Sequence, residues 1–534
     1  MSLRPAHALA IAAALCTLTG PSQAQPAVAA GGAPAGTPVG APVLVTGCGA
    51  AHILENPDPH PAARCQVLDR VHPEPPPTSV SVCRTNDHFG AVIAAGGDFN
   101  GDGTPDIAVA GFSHDHLPNT ACEVWVFSGK GAAPLVVVTG DGRTDLLGES
   151  LTFVSDLNGD GCDELAIGAP GAGRSGRVYV IAGRSAPGPG RIAAREAALA
   201  ILEGDVPGRG FGFALTAGDL DGDGRHDLAI GAPGTSSSDA AEFAGEVLVF
   251  GGAALVDPEG GPLLMSARHA DRRLVGDSAG ARFGFALATV GPDADGSASR
   301  LAVGAPRSLG RAIAKLSAAG HGEVLLFGSD DAPLQRWTGD KYAGEGSAFG
   351  HALASGHDLD GDGIDDLAIG APLRRGDASE KRPRGAAFAV NSVTGAVLIR
   401  VDDSAFSGSV GARVALAADV SGDGHPDLVT SSPIASLPIV DCSQHGKFHE
   451  QGGPMSGGVL LVDGASGDVF GRLFGESGRD RIGWGLAVHD LDGDGLSEVI
   501  AGAMGWSPPR AKDPALLKEV GRAYVFAGSQ LPPE

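Results

Sequence analysis

A short acidic loop recurs six times along this chain, each time between the same two kinds of apolar segment. The clearest copy runs from Asp219 to Asp227 and reads DLDGDGRHD, with carboxylates at positions 1, 3, 5 and 9 and glycine at positions 4 and 6. Four negative charges so close together repel one another unless a cation neutralises them. Hard divalent ions, above all Ca²⁺, prefer such sets of oxygen ligands, so the pattern predicts a calcium loop.

The other copies keep an oxygen-bearing side chain at each of these positions. The predicted metal ligands are Asp98, Asn100, Asp102 and Asp106; Asp156, Asn158, Asp160 and Glu164; Asp219, Asp221, Asp223 and Asp227; Asp358, Asp360, Asp362 and Asp366; Asp419, Ser421, Asp423 and Asp427; and Asp490, Asp492, Asp494 and Glu498. Turns also favour Asp, Asn and Gly, but turn chemistry does not require an acid at position 9 of every copy. We therefore expect about six Ca²⁺ sites, with Mg²⁺ second because it demands stricter octahedral geometry.

The segments around each loop predict strands. An aromatic–glycine pair such as Phe211-Gly212 stands before the loop, and Gly231-Ala232-Pro233 follows it. A further apolar strand, here Glu246–Phe250, comes next. Variants of this unit recur seven times, with a period of roughly 60 to 70 residues. The repeat predicts an all-β chain, a seven-bladed β-propeller with each acidic loop at the tip of a β-hairpin.

The unit around Phe283 keeps its strand patterns but has a different loop, from Pro292 to Arg300. Arg300 stands at position 9, where the other copies have an acid. A positive charge at this position repels a cation, so we expect no metal in this unit.

The ring must also close, and the last unit supplies only three strands. In an earlier unit, Leu199–Leu202 has the pattern of an outer strand, about nine residues before Phe211. The same distance before Phe89 falls within Thr78–Cys83. We therefore predict that Thr78–Cys83 is the outer strand of the last blade and removes an open sheet edge.

The three linked motifs resemble the repeats of the integrin α-subunit head, over residues 78–528. The resemblance implies a seven-bladed propeller of the integrin α N-terminal type, with calcium in the loops and partners on the opposite face. The chain differs from that family because it has no inserted ligand-binding domain, no leg domains and no membrane span. A receptor role of the animal kind is therefore not expected.

The amino terminus has the features of a secretory signal peptide, with Arg4, an apolar run from Ala8 to Leu18 and a cleavage site after Ala24. We expect residues 1–24 to be this signal, 25–77 an Ala/Gly/Pro-rich segment read mostly as a linker, 78–528 the propeller and 529–534 a tail. The protein is expected to be secreted, extracellular or periplasmic. No segment is long and apolar enough to span a membrane.

The cysteine content of the exported chain predicts disulfide bonds. Beyond the signal, the cysteines are Cys48, Cys65, Cys83, Cys122, Cys162 and Cys442. An even number in an exported chain predicts up to three disulfide bonds; their connectivity stays open, with Cys48–Cys65 preferred.

A net charge of -25 excludes nucleic acid as a partner, because phosphate backbones require a basic surface.

Partners are expected on the face opposite the acidic loops, where the connections vary most in length. The long ones are residues 307–321, 373–384 and 434–456. The second contains Arg375-Gly376-Asp377, the tripeptide that integrins recognise on their ligands, although chance is the simpler explanation in a chain of this composition. In the third, His445 and His449 have a spacing that suits metal ligands on a helix, but the Gly-rich surroundings favour an exposed loop.

No catalytic constellation is evident, since the chain lacks a His-Glu-x-x-His site and has no Gly-x-Ser-x-Gly elbow in a suitable context. We predict that the protein is not an enzyme and binds an extracellular protein, glycan or surface in an adhesion-like role. Two alternatives stay open: a carbohydrate-binding lectin, and a propeller enzyme such as a polysaccharide lyase. Some phospholipases also carry integrin-like propellers as accessory domains. The oligomeric state is open.

Overall fold

The computed structural model describes most of the repeat region. The described residues are 43–44, 52–54 and 88–526, the last range with gaps at 112–121, 131–133, 186–189, 235–243, 258–260, 293–295, 297, 308–320, 345, 376–383, 403–407, 436, 442–449, 454, 476–477 and 506–520. The predicted signal peptide and the tail at 529–534 lie outside this part of the chain.

Seven β-sheets form the blades, and within each blade four strands pair antiparallel from the inside outwards. Blade 1 contains Val92–Gly97, Asp106–Gly111, Glu123–Phe127 and Pro134–Thr139; blade 2 contains Ser150–Val154, Glu164–Ala169, Arg177–Ile181 and Ala198–Glu203; blade 3 contains Ala214–Gly218, Asp227–Ala232, Glu246–Phe250 and Arg272–Val275. Blade 4 contains Ala286–Pro292, Ser299–Ala305, Glu323–Phe327 and Pro333–Thr338; blade 5 contains Ala352–Ala354, Leu367–Gly370, Ala387–Val390 and Val397–Val401. Blade 6 contains Arg413–Ala417, Asp427–Ser431, Gly458–Val462 and Val469–Phe474; blade 7 contains Ile482–His489, Glu498–Ala503, Ala523–Phe526 and, as its outer strand, His52–Leu54.

Three blades carry an additional parallel strand at the outer edge: Gly190–Ala193 on blade 1, Leu263–Ser266 on blade 2 and Val43–Leu44 on blade 6. A separate hairpin joins Leu437–Asp441 to Glu450–Gly453. The helical segments are short: Ala194–Ala197 and Gly339–Tyr342 are α-helical, and Arg143–Asp145, Gly252–Leu255 and Ala267–His269 are 3₁₀ turns.

The inner strands contact one another around a ring, and the inner strand of blade 7 contacts that of blade 1. The predicted seven-bladed β-propeller is confirmed. Its core lies between blades, where each second and third strand is almost wholly buried. One cluster, for example, joins Val178 of blade 2 to Ile230 and Leu248 of blade 3, and another joins Ile500 of blade 7 to Phe89.

The aromatic–glycine pair forms a turn rather than the start of the inner strand that its pattern suggests. In blade 3 the inner strand begins at Ala214, and Gly212 just before it has a φ of 87°. A left-handed conformation of this kind suits glycine because it has no Cβ. The turn places Phe211 in the interior, where its ring meets Phe250 edge to face with centroids 6.4 Å apart.

The glycine of each Gly-Ala-Pro motif is needed for contact between blades. A Cβ on Gly231 of blade 3 would clash with the carbonyl oxygen of Gly284, the turn glycine of blade 4. The same close approach joins Gly168 to Gly212, Gly304 to Gly350 and Gly370 to Gly411. It also joins Gly502, which stands in Gly-Ala-Met, to Gly90. In blade 6 the position is Ser431, whose Oγ donates a hydrogen bond to the Gly483 carbonyl at 2.7 Å. The two motifs recur together because each is the other's packing partner in the neighbouring blade.

The outer strand of blade 7 differs from the prediction. His52–Leu54 fills this position and pairs antiparallel with the strand Ala523–Phe526. The predicted strand Thr78–Cys83 lies outside the described residues. The segment 25–77 therefore contributes strands to blades 6 and 7 and is more than a linker. Counting residues back from Phe89 does not separate two short apolar segments that can pair with the same open edge. By contrast, the outer strand predicted at Leu199–Leu202 is confirmed.

The disulfide prediction needs a correction at Cys162, which is buried and forms no disulfide. With this thiol unpaired, the remaining cysteines allow at most two disulfide bonds rather than three. The preferred pair Cys48–Cys65 lies outside the described residues, as do Cys83 and Cys442.

The glycine contact between blades makes a prediction about Gly502→Ala, which places a methyl group against the backbone of Gly90 at the seam between blades 7 and 1. We expect the free energy of unfolding to fall by about 1–3 kcal/mol or more, as overpacking does in tight interiors. Gly142→Ala is the matched control, because a Cβ there meets its nearest atom at 3.7 Å. Urea unfolding of both variants measures the difference; equal stabilities would contradict the packing role.

Candidate metal centres

The six acidic loops lie at equivalent places, each joining the inner strand of a blade to the second strand. In blade 3 the loop follows Gly218, and Gly218 pairs with Asp227 across the hairpin. Position 9 is the first residue of the second strand in five blades, and in blade 5 Asp366 immediately precedes it. The inner strands all run towards these loops, so the loops share one face of the propeller.

Backbone hydrogen bonds to the loop's own acids set its shape. In blade 3, Asp219 accepts from the amides of Gly222 and Gly224 at 2.7 and 2.9 Å, which fastens position 1 to positions 4 and 6. Asp221 accepts from the amide of Asp223 at 3.0 Å. The corresponding bonds to Asp490 are 2.7 and 3.0 Å, and those to Asp419 are 2.6 and 2.8 Å. The acids at position 1 are therefore held with their carboxylates turned into the loop.

The acid at position 9 is buried and connects the loop to the rest of the blade. Asp227 is 1% exposed, and it accepts from the amide of Leu220 at 2.9 Å and from that of Gly252, beyond the third strand, at 2.9 Å. Asp427 is held in the same way by the amides of Val420 at 2.8 Å and Gly464 at 3.0 Å. In these two blades each carboxylate oxygen of the position 9 acid accepts one amide, which a side chain with a single acceptor oxygen cannot do.

Three loops bring their acids close enough to share one cation. Carboxylate oxygens from positions 1, 3 and 9 lie within 4.8 Å of one another in each of the following sets: Asp219, Asp221 and Asp227; Asp358, Asp360 and Asp366; and Asp490, Asp492 and Glu498. The position 5 acids are not members of these sets. In blade 5, the Asp366 Oδ1 atom is buried and has no hydrogen-bond partner. An orphaned carboxylate oxygen facing two other acids is an arrangement that a bound cation would complete.

Amide side chains crosslink the acids in two other places. In blade 2, Asn158 Nδ2 donates to Asp160 at 3.1 Å and to Glu164 at 3.0 Å. In blade 5, Asn391 Nδ2 donates to Asp360 at 2.8 Å and to Asp362 at 2.7 Å. Sequence reasoning missed Asn391 because it follows the third strand and is distant from the loop in sequence. The pairing of the strands brings Asn391 next to the loop.

Burial and mutual repulsion both raise the pKa of the position 9 acids. Burial is the larger cause, and neighbouring loop carboxylates add to it. The pKa rises to about 7 for Asp106, about 8 for Glu164, about 6 for Asp227, about 7 for Asp366 and about 6 for Asp427. Carboxylates that hold their protons this strongly lack a counter-charge, and the oxygen-only ligand set suits a hard divalent cation.

Blade 4 has a different arrangement. Arg300, at position 9, is 3% exposed and its guanidinium donates to Ser392 Oγ of blade 5 at 3.0 Å. Ser392 Oγ in turn donates to the carbonyl of Asp365 at 2.6 Å. A cross-blade hydrogen bond thus occupies the place that a buried acid has elsewhere. The absence of a metal in this blade remains a prediction, supported by the positive charge.

Neighbouring loops are also hydrogen-bonded to one another, which sequence reasoning missed. The amide at position 8 of one loop donates to the carbonyl at position 1 of the loop before it: Asp163 to Asp98 at 2.9 Å, Ser299 to Asp219 at 2.6 Å and Ser497 to Asp419 at 2.6 Å. These bonds link the loop ends in pairs along the ring. The connected pairs are the loops of blades 1 and 2, of blades 3 and 4, and of blades 6 and 7.

Comparison with known protein families identifies the repeat. The family described as "FG-GAP repeat" matches residues 89–114, 147–181, 211–250 and 349–381, which hold the turn, loop and glycine motifs of blades 1, 2, 3 and 5. The chain carries FG-GAP repeats. The name combines the two motifs that pack against each other between blades, Phe-Gly in the turn and Gly-Ala-Pro in the second strand.

This FG-GAP propeller is similar to parts of integrin α subunits and of a phospholipase D. Integrin alpha-PS5 of Drosophila melanogaster is 34% identical over 182 residues, which is 33% of this chain and 16% of the integrin. Integrin alpha-PS2 of the same organism is 32% identical over 234 residues, or 42% of this chain and 15% of the integrin. The human phosphatidylinositol-glycan-specific phospholipase D is 27% identical over 413 residues, which is 72% of this chain and 46% of that protein. The chain thus spans less than half the length of each of these relatives.

The unpartnered Oδ1 atom of Asp366 predicts that the effect of Asp366→Asn on stability depends on whether a divalent cation is present. With a divalent cation present, we expect Asp366→Asn to lower the melting temperature, because the variant loses a ligand. With a chelator present, we expect the variant to melt no lower than the parent, because the amide removes a charge from a repelling cluster. Differential scanning fluorimetry in both buffers measures this reversal.

Asp331→Asn is the control for that experiment, since the Asp331 side chain is 72% exposed and lies outside the loops. It should change the melting temperature little in either buffer. A loss of stability in Asp366→Asn that is the same with and without chelator would show that the carboxylate is structural only and would contradict the metal site.

Proposed function

We propose that this FG-GAP protein is an exported, calcium-stabilised propeller that binds an extracellular protein or surface and performs no catalysis itself. The observation that carries the proposal is that the loop acids already have structural partners. At all six loops, residues from positions 1 and 9 are committed to loop shape and, as we propose, to Ca²⁺. Nothing in that arrangement resembles a general acid and base around a substrate cleft.

Calcium accounts for much of the charge of the chain. Six bound Ca²⁺ ions would change the formal net charge from -25 to -13, since 6 × 2 = 12. The proposed ligands are the 24 residues of the six loops given above. A ligand that binds only the folded state stabilises it by about 2.7 kcal/mol per site at a concentration of 100 times its Kd. Occupied loops would therefore be a main source of stability for the ring.

The proposed partner surface is the face opposite the calcium loops. It carries the connections that follow the Gly-Ala-Pro motifs, including the three long ones. Much of these connections lies outside the described residues, including Gly376 and Asp377 of the predicted tripeptide and both His445 and His449. Arg375 is described and exposed. Loops on a rigid scaffold commonly carry binding function, which supports this choice of face.

Export is part of the same proposal and rests on the amino-terminal signal pattern. In the described part of the chain, no helix has the length and apolar character needed to cross a membrane. We propose a secreted protein, either extracellular or periplasmic. The similarity to a phospholipase D over 72% of this chain supports a second candidate function. In it, the propeller binds the surface that carries the substrate of an enzyme.

Removing calcium tests the structural part of the proposal. We expect a calcium chelator to lower the melting temperature by on the order of 10 °C, because several sites each lose their contribution. Excess Ca²⁺ should restore the original value, and Mg²⁺ should restore less of it, because it suits these ligand sets poorly. A melting temperature that does not respond to the chelator would contradict the proposal.

A glycan and protein array, probed with the mature chain, tests the binding part. We expect binding to extracellular proteins that is lost with chelator and restored by Ca²⁺. Binding to glycans alone would favour a lectin and contradict a protein partner. Release of products from a polysaccharide or a phospholipid would contradict the absence of catalysis; the loop variant Asp366→Asn controls for effects of lost stability.

A further inference from the structure

The central channel contains a cavity of about 310 Å³ that every blade helps to line. Its walls come from the first residues of the inner strands, such as Ala214 and Ala352, and from the residue after the turn glycine, such as Phe213 and Phe285. The inner strands run from this end towards the acidic loops. The cavity, which we call the channel pocket, therefore lies at the end of the channel remote from the loops.

One side of the channel pocket is an aromatic wall. The ring of Phe213 in blade 3 lies 5.0 Å from that of Phe285 in blade 4, and the Phe285 ring lies 5.0 Å from His351 in blade 5. Trp484 of blade 7 lines the pocket as well. Aromatic surface of this extent favours a ligand with an apolar or aromatic body, which gains both buried area and ring contacts.

Two opposite charges also line the pocket without touching each other. Glu149 of blade 2 and Arg413 of blade 6 are half-buried and sense each other electrostatically. The Arg413 guanidinium donates to the carbonyl of its neighbour Ala412 at 3.0 Å. Among the described residues, the Glu149 carboxylate makes no hydrogen bond or ion pair. Partly buried charges that form no ion pair lack the compensation that direct pairing gives.

The ionisation of both groups reflects this lack of compensation. Burial raises the pKa of Glu149 to about 7, although Arg413 opposes the shift. Burial also lowers the pKa of Arg413, and Glu149 opposes that shift. The attraction between Glu149 and Arg413 is too weak to offset the effect of burial on either pKa. A group placed between them would stabilise both charged forms.

His351 supplies a third polar group: its ring forms a hydrogen bond with the backbone of Ala412, and one ring nitrogen has no partner. It is 9% exposed, lines the pocket, and its Nδ1 atom has no hydrogen-bond partner. Burial, with the nearby charges of Arg413 and Arg282, lowers the pKa of His351 to about 3, so the ring is neutral. A buried ring nitrogen of this kind is normally satisfied, and its position on the cavity wall indicates a ligand.

We propose that the channel pocket binds a free α-amino acid with an aromatic side chain. Its ammonium group would donate to Glu149 and His351, its carboxylate would accept from Arg413, and its ring would pack on Phe213 and Phe285. A carboxylate without an ammonium group leaves Glu149 uncompensated, and an amine without a carboxylate leaves Arg413 uncompensated. The volume of the pocket is at the lower end for ligand sites, of about 300–1,000 Å³, which suits a molecule of this size.

Isothermal titration calorimetry on the full calcium-loaded chain tests this inference, which does not depend on the macromolecular partner. L-phenylalanine should bind at one site. Three analogues, 3-phenylpropionate without the ammonium group, 2-phenylethylamine without the carboxylate and L-alanine without the ring, should each bind at least about tenfold more weakly. The first two leave a buried polar group unpaired, and L-alanine loses the apolar area that the ring buries. No binding of L-phenylalanine, or equal binding of either single-charge analogue, would overturn the proposal.

Two variants locate the binding site. Glu149→Gln and Arg413→Gln should each weaken L-phenylalanine binding at least about tenfold. Arg195→Gln is the control, because Arg195 pairs with Asp141 on the surface and does not line the pocket. Melting temperatures show whether each variant is folded, and either one alone is sufficient for the test. Unchanged affinity in a folded Glu149→Gln or Arg413→Gln variant would contradict the assigned site.

Discussion

The contact on which the ring depends is the close approach of a second-strand residue, glycine in five blades, to the turn glycine of the next blade. The second strand of blade 3 presents Gly231 to the turn glycine Gly284 of blade 4, with no room for a Cβ between them. The aromatic residue before the turn glycine, such as Phe211, packs in the interior against its own blade, where it meets Phe250. The distance between blades is thus set by backbone, which explains why both motifs persist in units whose loops and outer strands differ widely.

The acidic loops act at the other end of the same strands. Each loop closes a hairpin whose second strand carries the packing residue, which is glycine in most blades and Ser431 in blade 6, so loop shape and blade contact are properties of one strand. The position 9 acid Asp227 spans both the loop and the end of the third strand through Leu220 and Gly252. A cation that neutralises the loop would therefore act on the whole blade. In blade 4, Arg300 makes its connection to blade 5 instead.

Local pattern was sufficient for the repeated parts of this molecule. The third strands, including Glu246–Phe250, and the hairpin position of the loops follow from residues close in sequence. The outer strand of blade 7 did not follow, because His52–Leu54 reaches its partner through ring closure and many short segments can pair with an open edge. The role of Asn391 did not follow from local pattern either. Nor did the channel pocket, whose walls take two to four residues from each blade. Such sites exist only once seven distant segments have assembled.

The central claim is that the six acidic loops hold calcium. It is tested most directly by counting the metal in the purified mature chain after dialysis against metal-free buffer, using inductively coupled plasma mass spectrometry on samples of known protein concentration. The account predicts close to six calcium ions per chain, and one fewer in Asp366→Asn. A chain that retains no calcium, or binds it no better than its surface carboxylates do, would contradict it.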